Sequence, residues 1–265
     1  MMVWLNVGLF DAGAARIDPA DRGFLLGDGL FETIAVRSGR IMHLDAHLER
    51  LRDGCETLYM PYPAVDIAAA IEGTCIANHL TDAAVRVTVS RGYASRGLLP
   101  TSKPQPTLLI TAETWPGSPP PARCIIASVT RRNQHSPLSR IKSLNYLDNI
   151  MARQEAAAKG ANEAIMLNTL GRVVEATISN IFIVKNSRLF TPPVEDGALP
   201  GIMRSVVMQA YKADEASIAV NDLPSADGIF LTNSLGIRAV ASIDGRNIGN
   251  AARAFIEDLI TKLAA

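Results

Sequence analysis

Lys142 lies in SRIKSLNYLDN, residues 139–149, after the run 137–141, which reads as the end of a strand. The spacing predicts a helix just beyond it, with Ser143 as its cap and Leu144, Leu147 and Met151 along one side. A lysine at such a junction is ordinarily a solvated charge, because Lys is rarely buried. The alternative is a catalytic amine, and only the rest of the chain can decide. Four further stretches bear on it. EATISNIFIV opens with Glu175 between two β-rich segments, followed by the small hydrogen-bonding pair Ser179-Asn180. LPGIMRSVV puts Gly201 at a helix start after Pro200, where unbonded N–H groups and the helix dipole favour a phosphate. FLTNSLG ends a strand with three donors, Thr232, Asn233 and Ser234. HLERL offers Arg50, off the leucine face of its helix, as a cationic phosphate partner. Taken singly, each is also explained by a cap or a surface charge.

Other chemistries find less support. No G-x-G-x-x-G follows a strand, and there is no G-x-x-x-x-G-K-[ST], G-x-S-x-G or H-E-x-x-H. His43 and His47 are four apart, but no third ligand stands nearby, so they read as polar residues of a helix entry and no metal is expected. Lys plus Arg and Asp plus Glu are both 26, a net charge of zero with scattered basic residues. That balance argues against nucleic acid or an anionic membrane as partner. No apolar stretch approaches a bilayer span, and MMVWLNVGLFDAG lacks the features of a signal peptide, so a cytoplasmic protein is expected. Cys55, Cys75 and Cys124 are widely spaced and read as reduced core thiols.

The elements that must position these residues form a mixed pattern. VWLNVGLF reads as a short strand, and FETIAVRSGRIMHL as a hairpin turning at Ser38-Gly39. From about Asp45 a helix carries Leu44, Leu48, Leu51, Cys55 and Leu58 as one apolar stripe, and a second spans roughly 64–79. AAVRVTVSRG and PTLLITAET are strands. WPGSPPPAR, residues 115–123, holds four prolines and reads as a stiff linker. Beyond it come the strand CIIASVT, a helix ending near Gly160, the strands NEAIMLN, RVVEA and SNIFIVKN, the helix GIMRSVVMQAYKA, the strand DGIFLTN and a terminal helix AARAFIEDLITKLAA. The expected organisation is two α/β domains of mixed α+β type, 1–114 and 124–265, joined by 115–123. Strands and helices do not alternate strictly, so a doubly wound nucleotide fold is not favoured.

In order, GDGLFETI, HLERL, SRGYASRG, KSLNYL, EATISNIF, LPGIMR and TNSLG resemble the class IV, or fold type IV, pyridoxal-phosphate enzymes. That family contains branched-chain aminotransferases, D-amino acid aminotransferases and aminodeoxychorismate lyases. The resemblance implies a two-domain enzyme with pyridoxal 5'-phosphate between the domains, a small amine substrate and a homodimer. It implies that Lys142 carries the cofactor as a Schiff base and then serves as the base, and that Glu175 partners the pyridine nitrogen. It also implies Arg50 at the phosphate, with Ser179, Asn180, Gly201, Ile202, Met203, Thr232 and Asn233 around the cofactor. Thr33 would lie beside the substrate, with Phe31, Arg91, Arg96 and Ser234.

Outer motifs separate the reactions. SRGYASRGLLP resembles the SRGxGxRGY loop of many aminodeoxychorismate lyases, whereas the D-amino acid enzymes tend to carry an Arg-x-His pair there. TNSLG resembles the lyases' TNSL segment more than the GTA loop of branched-chain enzymes, and GDGLFET fits the lyases too. Ala94 and Leu98 depart from the SRG motif, and Ala239 replaces a common Pro before Val240. The resemblance therefore implies an aminodeoxychorismate lyase of folate synthesis, releasing pyruvate and 4-aminobenzoate. An aminotransferase acting on D-amino acids, branched-chain amino acids or amines is the alternative.

Overall fold

The computed structural model describes residues 1–249 and 255–258. The chain forms two compact units, Met1–Gly117 with Ile141–Asn145, and Ser118–Arg140 with Tyr146–Ala265. The division therefore falls after Gly117, inside the proline-rich stretch. Ile141–Asn145, and with it Lys142, clusters with the first unit and not with the second, where the chain order had put it.

The first unit contains β1 (Met2–Leu5), β2 (Gly8–Asp11), α1 (Arg22–Leu26), β3 (Gly29–Arg37), β4 (Arg40–Ile41), α2 (Leu44–Thr57), α3 (Ile67–Ala77), β5 (Ala83–Ser90) and β6 (Thr107–Thr114). VWLNVGLF is a hairpin, not one strand, because Asn6 takes a left-handed turn conformation at φ 55°. The six strands make an antiparallel sheet in the order β2-β1-β6-β5-β3-β4. Side chains alternate across it. Leu30, Ile34, Val36, Val85, Val87, Val89, Leu108 and Ile110 all join one core with Leu51 and Cys55 of α2 and Ile71 of α3. Each fully buried Ile or Leu there contributes about 1.5–3 kcal/mol. The expected stripe of α2 is this contact, with Leu44, Leu48 and Leu58 at its margin.

The second unit contains β7 (Ala122–Ile126), α4 (Leu147–Ala158), β8 (Glu163–Leu167), β9 (Arg172–Ala176), β10 (Asn180–Lys185), β11 (Arg188–Thr191), α5 (Ile202–Tyr211), β12 (Asp214–Glu215), β13 (Ile218–Ala219), β14 (Gly228–Asn233), β15 (Gly236–Ile243) and β16 (Arg246–Asn247). Its mixed sheet runs β12-β11-β10-β14-β15-β7-β8-β9-β13. The pairing of Asn180 with Glu175 joins β10 back to β9, so six strands close into a ring. Both faces of β10 and β14 are covered. Ile181, Ile183, Ile229 and Leu231 enter one core, while Phe182, Val184 and Phe230 pack with Val207 of α5 in another. Two-sided burial explains the continuous apolar runs NIFIVK and EAIML. The three cysteines are free and buried. Of the expected terminal helix 251–265, residues 255–258 are helical, and the remainder lies outside the described residues.

Two local expectations are corrected. Residues 137–139 form a 3-10 turn, not a strand end. Ser143 does not cap α4; Tyr146 precedes its first turn and no side chain caps it. Residues 142–144 instead lie extended along β3, with Phe31 N–H donating to the Lys142 carbonyl at 2.9 Å and Leu144 N–H to the Gly29 carbonyl at 2.9 Å. A Cβ at Gly29 would run into the Val89 carbonyl of β5, so this end of β3 requires glycine. Leu147 and Met151 are exposed, and α4 buries Asn149, Ala152 and Ala156 instead.

Candidate active site

The first unit sets Lys142 beside the aromatic ring of Phe31. The backbone pairing along β3 fixes the lysine's Cα, and its Nζ stands 4.3 Å from the ring centroid. Arg86, from the paired strand β5, lies over the same ring at 3.8 Å. Phe31 is buried and Lys142 half-buried. Thr33 is two residues further along β3, on the Phe31 side of the strand.

Glu32 points the other way, into the core, and is 1% exposed. A buried carboxylate requires charged or donor partners. Arg50 supplies two, Nε to Oε1 at 2.8 Å and Nη2 to Oε2 at 2.6 Å. His47 Nδ1 lies 2.7 Å from Oε2. Burial alone would raise the Glu32 pKa, but the hydrogen bonds and charges of His47 and Arg50 outweigh it and hold the carboxyl below its ordinary range. His47 is thus a polar residue of the helix entry, as expected, but one that is buried against β3.

Arg91 and Arg96 separate. Arg91 is buried and spans between Asp28, through Nε at 2.8 Å, and the carbonyls of Tyr59 and Leu58 at 2.9 and 2.7 Å. Arg22 meets the same Asp28 oxygen at 2.7 Å and donates to the carbonyls of Gly97 and Leu98. Arg96, in the loop so held, is exposed.

The second unit gathers the remaining residues by strand register. Asn180 lies opposite both Glu175 on β9 and Thr232 on β14. Glu175 Oε1 pairs with Arg132 Nη2 at 3.1 Å, and Oε2 accepts from the Leu199 N–H at 3.0 Å. Asn180 Nδ2 donates to the Leu199 carbonyl at 2.8 Å. Both polar groups of Leu199 are therefore held, which fixes the chain entering α5. Gly201 follows as its N-cap and, having no side chain, supplies no capping acceptor to the first-turn N–H groups. A Cβ at Gly201 would overlap Asn180 Oδ1. Ile202 and Met203 begin the helix. Asn233 Nδ2 donates to Ser179 Oγ at 3.1 Å, and its Oδ1 accepts from Leu235 N–H at 2.9 Å, which shapes the turn carrying Ser234.

Sequence reasoning missed Arg132, Glu32, His47, Asp28 and Arg22. His47 had drawn notice only beside His43 as a rejected metal pair, and Glu32 left a mark as a carboxylate in the inward register of Leu30, Ile34 and Val36.

Comparison with known proteins places the chain in a class. The family model described as amino-transferase class IV matches residues 29–243, and the chain belongs to that family. It is 36% identical over 260 residues to the protein named "putative branched-chain-amino-acid aminotransferase" of Methanocaldococcus jannaschii, covering 94% of this chain and 90% of that one. It is 30% identical over 260 residues to an aminodeoxychorismate lyase of Bacillus subtilis, covering 94% and 89%. The solved 4-amino-4-deoxychorismate lyase of Pseudomonas aeruginosa aligns with a TM-score of 0.85 at 28% identity, covering 98% of each chain. The mixed α+β fold is that of fold type IV enzymes, whose families use pyridoxal phosphate.

The residues of the second unit fit that group. The buried Thr232 Oγ1 has no hydrogen-bond partner among the described residues, the start of α5 offers N–H groups with no side-chain cap, and Glu175 presents a fixed carboxylate. These are the donor set for an anion and a partner for a cationic ring nitrogen. No helix among the described residues is long and apolar enough to cross a membrane.

Proposed function

We propose that the chain is a pyridoxal-phosphate-dependent aminodeoxychorismate lyase, converting 4-amino-4-deoxychorismate to 4-aminobenzoate and pyruvate. When bound, the cofactor supplies an electron sink for charge developing at the substrate carbon. Lys142 would hold it and would serve as the base that takes the proton beside the substrate amine, a contribution of about 10²–10⁴-fold. Glu175 keeps the pyridine nitrogen protonated. Arg50, the start of α5 at Gly201, Ile202 and Met203, and the donors Ser179, Asn180, Thr232 and Asn233 hold the phosphate end and the ring. Phe31, Thr33, Ser234 and the exposed Arg96 face the substrate. Arg91 acts through the loop it anchors.

The observation that carries the lyase reading is the TNSLG turn. Asn233 pairs with Gly236, so Ser234 and Leu235 make a two-residue connection from β14 to β15, and Ser234 stands next to the Asn233–Ser179 bond. The segment resembles the TNSL segment of the lyases more than the GTA loop of branched-chain enzymes. An aminotransferase is the second reading, favoured by the 36% identity to the Methanocaldococcus protein. Product assays with 4-amino-4-deoxychorismate and with a panel of amino donors separate them. A homodimer is part of the proposal, supported by the exposed apolar side chains of Phe24, Leu25, Leu98 and Leu99. Sedimentation showing a fully active monomer would remove it.

A further inference from the structure

A carboxylate in a hydrophobic core is costly, and Glu32 has a place in the core of the first unit only through two residues of α2. His47 and Arg50 are three apart and so share one helix face. That face meets the inward side of β3. Glu32 engages the Nε/Nη2 edge of Arg50 in a two-point fork, which fixes both the position and the plane of the guanidinium. His47, itself 1% exposed, meets Glu32 Oε2 and so fixes the carboxylate. A single hydrogen bond would leave the long arginine side chain several rotamers; a fork on a carboxylate that is itself held does not.

We propose that Glu32 and His47 are positioning residues for the cofactor phosphate, acting through Arg50. This rests on the reading of Arg50 as a phosphate ligand. On that reading, the affinity for a phosphate depends on the guanidinium being aimed before the ligand arrives. Pre-organisation lowers the ordering that binding would otherwise require. The chain Glu32–His47 also explains why a helix that binds an anion carries an anion's rival beneath it. The carboxylate satisfies one edge of Arg50, and its buried position keeps it from swinging into the phosphate's place.

The prediction is specific to the phosphate. Full-length protein is dialysed to equilibrium against pyridoxal 5'-phosphate and, separately, against pyridoxal, which lacks the phosphate. The ratio of the two affinities is the readout, because a general loss of structure would lower both. Glu32→Gln and His47→Ala should each reduce the ratio about ten-fold or more, the scale of one charge-assisted hydrogen bond. Pyridoxal binding should stay near that of the parent protein. His47→Asn places an amide nitrogen close to where Nδ1 stands and should restore most of the ratio. Arg50→Ala is the reference. If Arg50→Ala leaves the ratio unchanged, the phosphate reading of Arg50 fails. If Arg50→Ala collapses the ratio while Glu32→Gln and His47→Ala keep it, the positioning role is overturned and Arg50 stands alone. Should Glu32→Gln fail to fold, the His47→Ala and His47→Asn pair still decides.

Discussion

Glu175 and Arg132 form an ion pair of 3.1 Å, and the second carboxylate oxygen of Glu175 is held by the Leu199 N–H at 3.0 Å. The carboxylate is buried, so it is presented in one orientation and not as a surface charge. Glu175→Gln keeps the shape and removes the charge. Turnover should fall about 10²-fold or more, the scale of losing a pre-organised electrostatic partner. Circular dichroism and thermal unfolding should show the variant folded. Full turnover in Glu175→Gln would reduce the residue to a structural partner of Arg132.

Lys142 should carry the cofactor. The purified protein is expected to be yellow, and borohydride reduction should fix the cofactor to the tryptic peptide containing Lys142. Lys142→Ala should retain cofactor through the phosphate end and lose nearly all turnover. Fixation at Lys159 or Lys185 would overturn the assignment, and Lys159 already has a partner in Glu155 at 2.7 Å.

Gly201 and Asn180 are sterically coupled. Any Cβ at Gly201 overlaps the Asn180 amide, so Gly201→Ala must displace either the start of α5 or the Leu199 clamp. Cofactor affinity should drop, and stability should fall by about 1–3 kcal/mol, the usual cost of overpacking. In an Asn180→Ala background the same change should cost less, because the clash is gone; additive costs in a double-mutant cycle would rule the coupling out.

Period-two alternation made β5 and β6 legible, and β-rich apolar runs made β3, β10 and β14 legible, because those strands bury one or both faces and their apolar residues say so. The helix stripe of α2 was legible for the same reason. Local patterns failed where a tertiary contact decides. Ser143 is a good cap by type, yet its backbone pairs with Leu30 of β3, 113 positions away in the chain, so it cannot cap α4. The apolar side chains of Leu147 and Met151 suggested the buried face of α4, whereas small Ala152 and Ala156 form it because β8 approaches closely. At the candidate site, Glu175, Asn180 and Gly201 could be named from motifs. Arg132 could not, since nothing near RRNQ distinguishes an arginine that pairs with Glu175 from a solvated one. Arg91 and Arg96 looked equivalent in sequence, and only the hydrogen bonds show one buried and the other exposed.

Asp28 makes the stability of the first unit depend on acid. Burial would raise its pKa, but hydrogen bonds and charges from Arg91 and Arg22 outweigh this and place it below the ordinary 3.8. A carboxyl with a depressed folded-state pKa contributes its stability fully above the unfolded value and loses it as pH falls through the folded value. Glu32 has the same sign, below an ordinary 4.5. Melting temperature should therefore fall as pH drops below about 4.5. Asp28→Asn, which leaves two arginines without their carboxylate, should cost about 3 kcal/mol at neutral pH. It should also flatten the acid limb; an unchanged acid limb would show that Asp28 is not the group responsible.

The two readings of the reaction differ in where the amine nitrogen ends. In the lyase, proton removal beside the amine is followed by loss of the enolpyruvyl group and aromatisation of the ring, which is strongly downhill. The nitrogen leaves on 4-aminobenzoate, so pyruvate and 4-aminobenzoate should appear in equal amounts with no keto acid added. In the aminotransferase the nitrogen is handed to a second substrate, and turnover stops without a keto acid. Arg96 is the exposed arginine of the 91–98 loop, and a planar guanidinium pairs bidentately with a carboxylate. Arg96→Lys should therefore raise KM for 4-amino-4-deoxychorismate about ten-fold, with kcat less affected, because the fork is lost while the charge remains. Arg22→Lys should do the same indirectly, since Arg22 holds the carbonyls of Gly97 and Leu98 that set the loop. Rapid two-stage transfer from an amino acid to 2-oxoglutarate, with no 4-aminobenzoate formed, would instead assign the chain to the aminotransferases.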